Sequence, residues 1–552
     1  MQTQTVPPVL EVRNLSVGFN KDDDTTWVTR EVSFAVEPGK TLAIVGESGS
    51  GKSVTSMAVL DLLPSNAVRE GEALLRGEDL VSASKERLRA VRGNDVAMIF
   101  QEPMTALNPV FTIGRQIVDA LQAHEKVPSA QARARAVELL KLVGIPEPER
   151  RIKSFPHQLS GGQRQRAMIA IAISKNPSVL IADEPTTALD VTVQAEILAL
   201  LRRLQTEMDM AIVLITHDMG VVADMADDVI VMRHGEIVER AEVRSLFASP
   251  EHEYTRALLA AVPRIESIID PEPTPVPHQE DAGTTAALDI QALHVRYPGR
   301  WGRPGFQAVK DVSLTIPQGQ ILGLVGESGS GKSTIGKAVV GLAPVESGSI
   351  RINGIAVGAR GKAQELRSQY GMVFQDPASS LNPRVSIGES IAEPMVVQRK
   401  GMSAGERRDR VAELLRMVKL PAEWASRFPH ELSGGQRQRI GIARALALEP
   451  SVLIADEPTS ALDVSVQAAV LEIFQELQER LGFSCLFISH DLAVVELLAD
   501  HVGVLQKGQL VESGRTADVL RTPTETYTQK LIDAAPVPDP VVQRARRSAA
   551  VA

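Results

Sequence analysis

The stretch GESGSGKSV at residues 46–54 returns as GESGSGKST at residues 326–334. Each copy fits the pattern G-x-x-x-x-G-K-[ST] and follows an apolar run, TLAIV or ILGLV, that reads as a buried strand. Glycine lets a backbone turn tightly enough for several N–H groups to converge on one anion. A helix beginning at the lysine adds its positive end. Gly46, Glu47, Ser48, Gly49, Ser50 and Gly51 are the expected phosphate cradle of the first copy, and Gly326, Glu327, Ser328, Gly329, Ser330 and Gly331 that of the second. Lys52 and Lys332 would reach the β- and γ-phosphates, and Ser53 and Ser333 would ligate magnesium. Val54 and Thr334, next in the first helical turn, belong to the same binding segment.

The repeat extends outward from this loop. The two lysines are 280 residues apart, whereas LSGGQRQR (159–166 and 432–439), LIADEPT (180–186 and 453–459) and the His-Asp pairs at His217 and His490 are 273 apart. Two tandem domains follow, the second about seven residues shorter between loop and LSGGQ. Apolar strands such as SVLIAD alternate with helical patterns such as VQAEILALLRRLQ, which implies a mostly parallel α/β sheet in each domain. In such sheets ligands bind beyond the carboxyl ends of the strands, where these motifs fall. The segment between loop and LSGGQ reads as an inserted helical subdomain. The expected layout is residues 1–262, a Pro-rich acidic linker over 263–287, a second domain over 288–536, and a flexible tail over 537–552 with Arg544, Arg546 and Arg547.

Other motif residues have chemical roles that suit a nucleotide. Asp183 and Asp456 end apolar strands and can hold a magnesium shell. Glu184 and Glu457 follow them and can polarise a water facing the γ-phosphate. Gln101 and Gln375 can touch magnesium or that water, and His217 and His490 can hydrogen-bond the γ-phosphate. Ser160, Gly161, Gly162 and Gln163, like Ser433, Gly434, Gly435 and Gln436, offer a hydroxyl and bare backbone N–H groups at a helix start, a second anion site per domain.

Composition narrows the classes. The chain has 552 residues, 44% hydrophobic and 23% charged, with a net charge of −9 that argues against binding nucleic acid through bulk charge. One cysteine, Cys485, excludes an internal disulfide framework and any Cys-rich metal cluster. No signal peptide is visible at the N-terminus, and no window reaches the roughly 20 apolar residues of a membrane helix.

The ordered set of phosphate loop, Gln, LSGGQ, LIADEPT, ALD and His-Asp in each half resembles the ATP-binding subunit of ABC transporters, over about residues 10–262 and 288–535. The resemblance implies two P-loop ATPase domains of ABC type. It also implies two composite ATP sites, one joining Lys52 to Ser433, Gly434 and Gly435 and the other joining Lys332 to Ser160, Gly161 and Gly162. Asp190 and Asp463 would line the seam, and Phe19 and Tyr297 are the expected adenine-stacking aromatics, with Trp27 and Phe306 nearby. MIFQEPMTALNP, MVFQDPASSLNP, EHEYTRALLAAVP and TETYTQKLIDAAP are similar to the oligopeptide, dipeptide and nickel importer branch, and the fused double domain to glutathione and microcin-type peptide importers. That branch implies ATP and Mg2+, two membrane-spanning permease subunits, an extracytoplasmic solute-binding protein, no nucleic acid, and a peripheral place on the cytoplasmic face of the inner membrane. The alternative is a tandem ATPase acting on ribosomes as a translation factor.

Overall fold

The computed structural model describes residues 6–21, 24–187, 189–265, 286–299, 305–359, 361–376, 380–460 and 462–551. Most of the expected linker lies outside the described residues. The contacts divide the chain into two units. The first comprises Met1–Leu189, Val193–Val262 and Pro536–Ala552; the second comprises Asp190–Thr192 and Pro263–Ala535.

Among the described residues unit one has the strands β1 (Leu10–Lys21), β2 (Asp24–Val36), β3 (Thr41–Val45), β4 (Ala67–Leu75), β5 (Glu78–Asp79), β6 (Val96–Ile99), β7 (Val179–Asp183), β8 (Ala211–Ile215), β9 (Asp228–Arg233) and β10 (Glu236–Glu242). They form two sheets. The six-stranded one runs β10-β9-β3-β8-β7-β6, parallel except for β10. All residues of β3, β7 and β8 are buried, which is why these strands read as unbroken apolar runs rather than alternating ones. The second, antiparallel sheet runs β2-β1-β4-β5. The mostly parallel sheet expected of each domain did not include this second, antiparallel one.

The layers follow from which residues each strand face buries. One face of the parallel sheet, with Leu42, Ile44, Ile181 and Val213, packs with Leu10, Val12 and Phe34 of the antiparallel sheet and with Ala58 and Val59 of the helix Lys52–Val59. The other face, with Leu180, Ala182, Ile212 and Leu214, packs under the helix Val191–Met208 through Ile197, Leu201 and Leu204. The same cluster takes in Ile113, Ile117, Leu139 and Leu140 from the helices Ile113–Gln122 and Ser129–Leu142, which lie between β6 and β7 in sequence. This is the inserted helical subdomain, joined to the sheet by the helix Gly161–Ala172. Beyond β9 and β3, the helices Val243–Ala248 and Glu253–Ala260 cover Ala43, Val45, Val229 and Val231.

Unit two repeats the plan. Its strands are β11 (Ala286–Tyr297), β12 (Phe306–Pro317), β13 (Ile321–Val325), β14 (Val345–Ile352), β15 (Ile355–Ala356), β16 (Tyr370–Val373), β17 (Val452–Asp456), β18 (Ser484–Ile488), β19 (His501–Gln506) and β20 (Gln509–Arg515). The sheets run β16-β17-β18-β13-β19-β20 and β12-β11-β14-β15. Helices Ile387–Gln398, Ala404–Met417 and Gly434–Ala445 make its inserted subdomain.

The C-terminal segment differs from the flexible tail expected of it. Residues Pro540–Val551 form a helix that belongs to unit one. Arg547 Nη1 donates to the carbonyl of Asp224 at 3.1 Å and to its Oδ1 at 3.3 Å, and Arg544 Nη2 to the carbonyl of Ala226. Asp224 is 5% exposed and also pairs with Arg202. A buried carboxylate needs such partners, so the arginines are spent on anchoring rather than left in solvent. Asp224→Ala should weaken this anchorage by about 1–2 kcal/mol, discounted for the half-exposed arginines. Hydrogen exchange of the amides in Pro540–Val551 should then speed up roughly tenfold.

Candidate active site

In each unit the loop after the first parallel strand turns into a helix through glycines in left-handed backbone: Gly46 (φ 147), Gly49 (φ 81) and Gly51 (φ 96), and Gly326 (φ 141), Gly329 (φ 75) and Gly331 (φ 110). Gly46 has a second constraint. A Cβ there would lie 2.2 Å from the carbonyl oxygen of Met232 on β9, and one on Gly326 would lie 2.1 Å from that of Leu505 on β19. The loop therefore passes over the neighbouring strand at a distance no side chain allows. Gly51 and Gly331 are the residues that cap the helices Lys52–Val59 and Lys332–Val339.

The lysines are buried at the mouth of these loops. Lys52 Nζ donates to the carbonyls of Gly46 (2.7 Å) and Glu47 (2.8 Å), and Lys332 Nζ to those of Gly326 (2.6 Å) and Glu327 (3.0 Å). Burial pulls the Lys332 pKa down, and the surrounding carboxylates oppose it. The Ser50 and Ser330 hydroxyls are buried and make no hydrogen bond among the described residues, so each is a donor available to a phosphate oxygen. Ser48 and Ser328 lie on the same turns, and Val54 and Thr334 in the first helical turns.

Ser53 Oγ donates to Asp183 Oδ1 at 3.0 Å and Ser333 Oγ to Asp456 Oδ1 at 2.7 Å, which brings together the residues expected around magnesium. Burial pushes the Asp183 carboxyl up to about 6, partly offset by the Ser53 hydrogen bond. Asp456 is raised for the same reason. These are oxygen donors only, the chemistry a hard divalent cation takes. Among the described residues no group of three or more His, Cys, Asp or Glu side chains could hold a metal by itself. The donor set fits a cation shared with a phosphate chain.

Glu184 and Glu457 sit in left-handed backbone, φ 49 and φ 47, a conformation uncommon for a side chain of this size. Their amides are tied to the carbonyls of Ile215 (2.8 Å) and Ile488 (2.9 Å) at the ends of β8 and β18. This turn aims each carboxylate between two neighbours. Gln101 Nε2 donates to Glu184 Oε2 at 2.8 Å, and His217 Nδ1 lies 3.3 Å from Oε1. Gln375 Nε2 donates to Glu457 Oε2 at 2.8 Å, and His490 Nδ1 lies 3.3 Å from the same oxygen. Burial works against the charge of Glu184. The His217 hydrogen bond and charge, the Thr187 hydroxyl (2.8 Å) and the Lys52 ammonium nevertheless hold it down to about 2. Glu457 is lowered likewise. Burial opposes the charge of His490, and the Glu457 hydrogen bond and charge outweigh it, so its pKa is raised. Both glutamates are thus ionised at neutral pH. Gln101 and Gln375, expected near magnesium or water, spend their amide nitrogens on these carboxylates.

At LSGGQ the hydroxyl has a role that the sequence reading missed. Ser160 Oγ accepts from Gln163 N (3.3 Å) while Gln163 Oε1 accepts from Ser160 N (3.3 Å), a capping box on the helix Gly161–Ala172. Ser433 and Gln436 do the same at 3.3 and 2.9 Å on Gly434–Ala445. The S-x-x-Q spacing carried that signal. Gly162 and Gly435 admit Val193 and Val466, whose methyls would lie 2.5 and 2.2 Å from an added Cβ. Asp463 is the N-cap residue of Val464–Leu481, and burial raises the Asp190 carboxyl above its usual range. Phe19, opposite Thr26 on β2, and Tyr297, opposite Phe306 on β12, are half-buried at equivalent strand ends. Cys485 is fully buried, and burial pushes its thiol well up. No described helix is long and apolar enough to cross a membrane.

A second missed feature lies in the EYT and TYT segments. Tyr254 Oη accepts from Glu47 N at 3.2 Å, and Tyr527 Oη from Glu327 N at 3.1 Å, so the phosphate loops are touched by the helices Glu253–Ala260 and Thr526–Ala534.

The ABC transporter family model matches residues 29–187 and 309–460, and the model for the oligopeptide/dipeptide transporter C-terminal region matches 238–284 and 511–550. The glutathione import ATP-binding protein GsiA of Pectobacterium atrosepticum is 48% identical, covering 96% of this chain and 90% of that protein. The peptidoglycan transport ATP-binding protein YejF of Agrobacterium fabrum is 47% identical, covering 97% and 98%. A dimeric ATP-binding cassette solved with ADP and Pi is 30% identical with a TM-score of 0.38, covering 42% of this chain and 98% of that one. The transport roles in the relatives' names leave the ribosomal alternative without support. Two phosphate loops, two Gln–Glu–His constellations and two matched family segments lead to one conclusion: the chain belongs to the ABC transporter family, as an ATPase with two tandem ATP-binding domains.

Proposed function

We propose that this chain hydrolyses ATP to power import of a peptide-like solute, with two membrane-spanning permease subunits and an extracytoplasmic binding protein as partners. It would sit peripherally on the cytoplasmic face of the inner membrane. The observation that carries the catalytic part is the duplication of a complete set in both units: Lys, Ser and Asp around the loop, and a left-handed Glu held by Gln and His. The solute class rests on the relatives, named for glutathione and peptidoglycan.

The chemistry follows from the residues. The loop amides, Ser50 and Lys52 bind and orient the triphosphate of ATP, and Ser330 and Lys332 do so in the other unit. Ser53 and Asp183, and Ser333 and Asp456, would hold Mg2+, which when bound neutralises charge on the β- and γ-phosphate oxygens. Glu184 and Glu457, ionised with pKa values held low, suit accepting a hydrogen bond from the attacking water and fixing its direction. His217 and His490 steady that carboxylate. Glu184→Gln and Glu457→Gln together should lower phosphate release by about 10²–10³-fold and leave ATP binding intact. Normal turnover in the double variant would refute the role.

Each unit supplies one loop and one LSGGQ helix, and the family resemblance pairs Lys52 with Ser433–Gly435 and Lys332 with Ser160–Gly162. Asp190 and Asp463 belong to the same proposed sites, and Phe19 and Tyr297 to the adenine. Counting occluded ATP tests the pairing. Lys52→Ala with Ser433→Glu damages one site and should leave one ATP per chain, whereas Lys52→Ala with Ser160→Glu should leave none.

An exposed apolar patch next to Gln375 suits a permease helix. Phe374, Val396 and Val397 are 38%, 53% and 55% exposed, beside a cavity of about 630 Å³ that Phe374, Val397, Glu393 and Arg444 help to line. Phe100 takes the corresponding place in unit one, 40% exposed beside Gln101. Phe374→Asp should leave basal ATPase within about twofold and lower solute uptake in membranes by roughly tenfold, since burying a charge against an apolar helix costs more than 1 kcal/mol.

A further inference from the structure

The segments EYTRALL and TYTQKLI hold a tyrosine that the ATPase chemistry above does not use. In both units its hydroxyl accepts the backbone N–H of the second residue of the phosphate loop, Glu47 or Glu327. That residue is then held at both ends. Glu47 O accepts Lys52 Nζ at 2.8 Å and Ser50 N at 3.1 Å; Glu327 O accepts Lys332 Nζ at 3.0 Å and Ser330 N at 3.1 Å. One hydroxyl thus steadies the residue whose carbonyl holds the lysine and closes the loop's first turn.

The tyrosine is itself held from below. Glu239 on β10 accepts from Glu251 N (2.8 Å) and His252 N (3.0 Å), which fixes the start of the helix Glu253–Ala260. Glu512 on β20 accepts from Thr524 N (2.7 Å) and Glu525 N (3.3 Å) ahead of Thr526–Ala534. A carboxylate on backbone N–H groups at a helix start is a strong cap. The aromatic surroundings differ between the copies. Arg233 stacks over the Tyr254 ring at 4.9 Å, and the corresponding residue at the end of β19 is Gln506. What both copies keep is the bond from hydroxyl to loop amide, so the oxygen, not the ring packing, is the shared feature.

We propose that Tyr254 and Tyr527 are positioning residues for ATP: each hydroxyl, set by the carboxylate-capped helix behind it, holds the phosphate loop and its lysine in the nucleotide-binding form. The inference rests on the ATP-site reading and adds to it a strut outside the residues that touch nucleotide.

The test uses the full-length chain with Tyr254→Phe and Tyr527→Phe combined, and MgADP as the calorimetric probe. One neutral hydrogen bond corresponds to roughly three- to tenfold in an equilibrium constant. The dissociation constant for MgADP and KM for ATP should both rise by about that factor, with kcat within about twofold and the nucleotide-free melting temperature unchanged. Leu258→Ala with Leu531→Ala, which loosens the same helices without touching the hydroxyls, should lower the melting temperature and leave MgADP affinity alone. Unchanged affinity in the tyrosine variant overturns the proposal. So does equal weakening in the leucine variant, which would make the effect general packing. A wild-type chain that fails to bind MgADP overturns the site reading together with it.

Discussion

A backbone that must aim several N–H groups at one anion has to pass close over its own sheet, and only a residue without a side chain can make that pass. Gly46 over Met232 O and Gly326 over Leu505 O are that contact. Most of the remaining site depends on it. The close pass lets the loop drop into the helices that begin at Lys52 and Lys332, and this places Ser53 and Ser333 within hydrogen-bond reach of Asp183 and Asp456, which lie two strands away in the sheet. A Cβ at either glycine would lift the loop off the sheet and separate the serine from the aspartate.

The second constraint is electrostatic. Six charged or polar side chains share each small, partly buried volume, and burial alone would favour the neutral form of the ionisable ones. The two carboxylates of each Asp-Glu pair respond in opposite directions, Asp183 and Asp456 raised, Glu184 and Glu457 lowered. The lysine ammonium favours the charged form of both; the difference lies in the other partner, a serine hydroxyl for the aspartates and an imidazole for the glutamates. Neighbouring acids held apart in pKa can take separate tasks, cation ligand and water orienter, on adjacent residues of one strand end.

Much of this was legible in the chain. The repeat fixed the number of domains, unbroken apolar runs marked the parallel strands, and the phosphate loop, Asp-Glu, Gln and His lie together as their spacing implied. What was not legible depended on long-range backbone partners. The antiparallel sheet needs the pairing of β1 with β4, about 55 residues on. The left-handed turn at Glu184 is set by Ile215 O on another strand. The tyrosine hydroxyls meet amides some 200 residues away, a relation no local pattern encodes. The tail was misread because three arginines in a polar segment look solvated until a buried aspartate takes one of them up.

That last helix changes how the protein can be taken apart. A first half severed near residue 262 would keep its own sheets and loop but lose Pro540–Val551, a piece of its fold that follows the second unit in sequence. Asp224 would retain Arg202 and lose Arg547. The tandem arrangement is therefore a fusion in more than sequence: splitting it cleanly requires moving the final helix to the end of the first half.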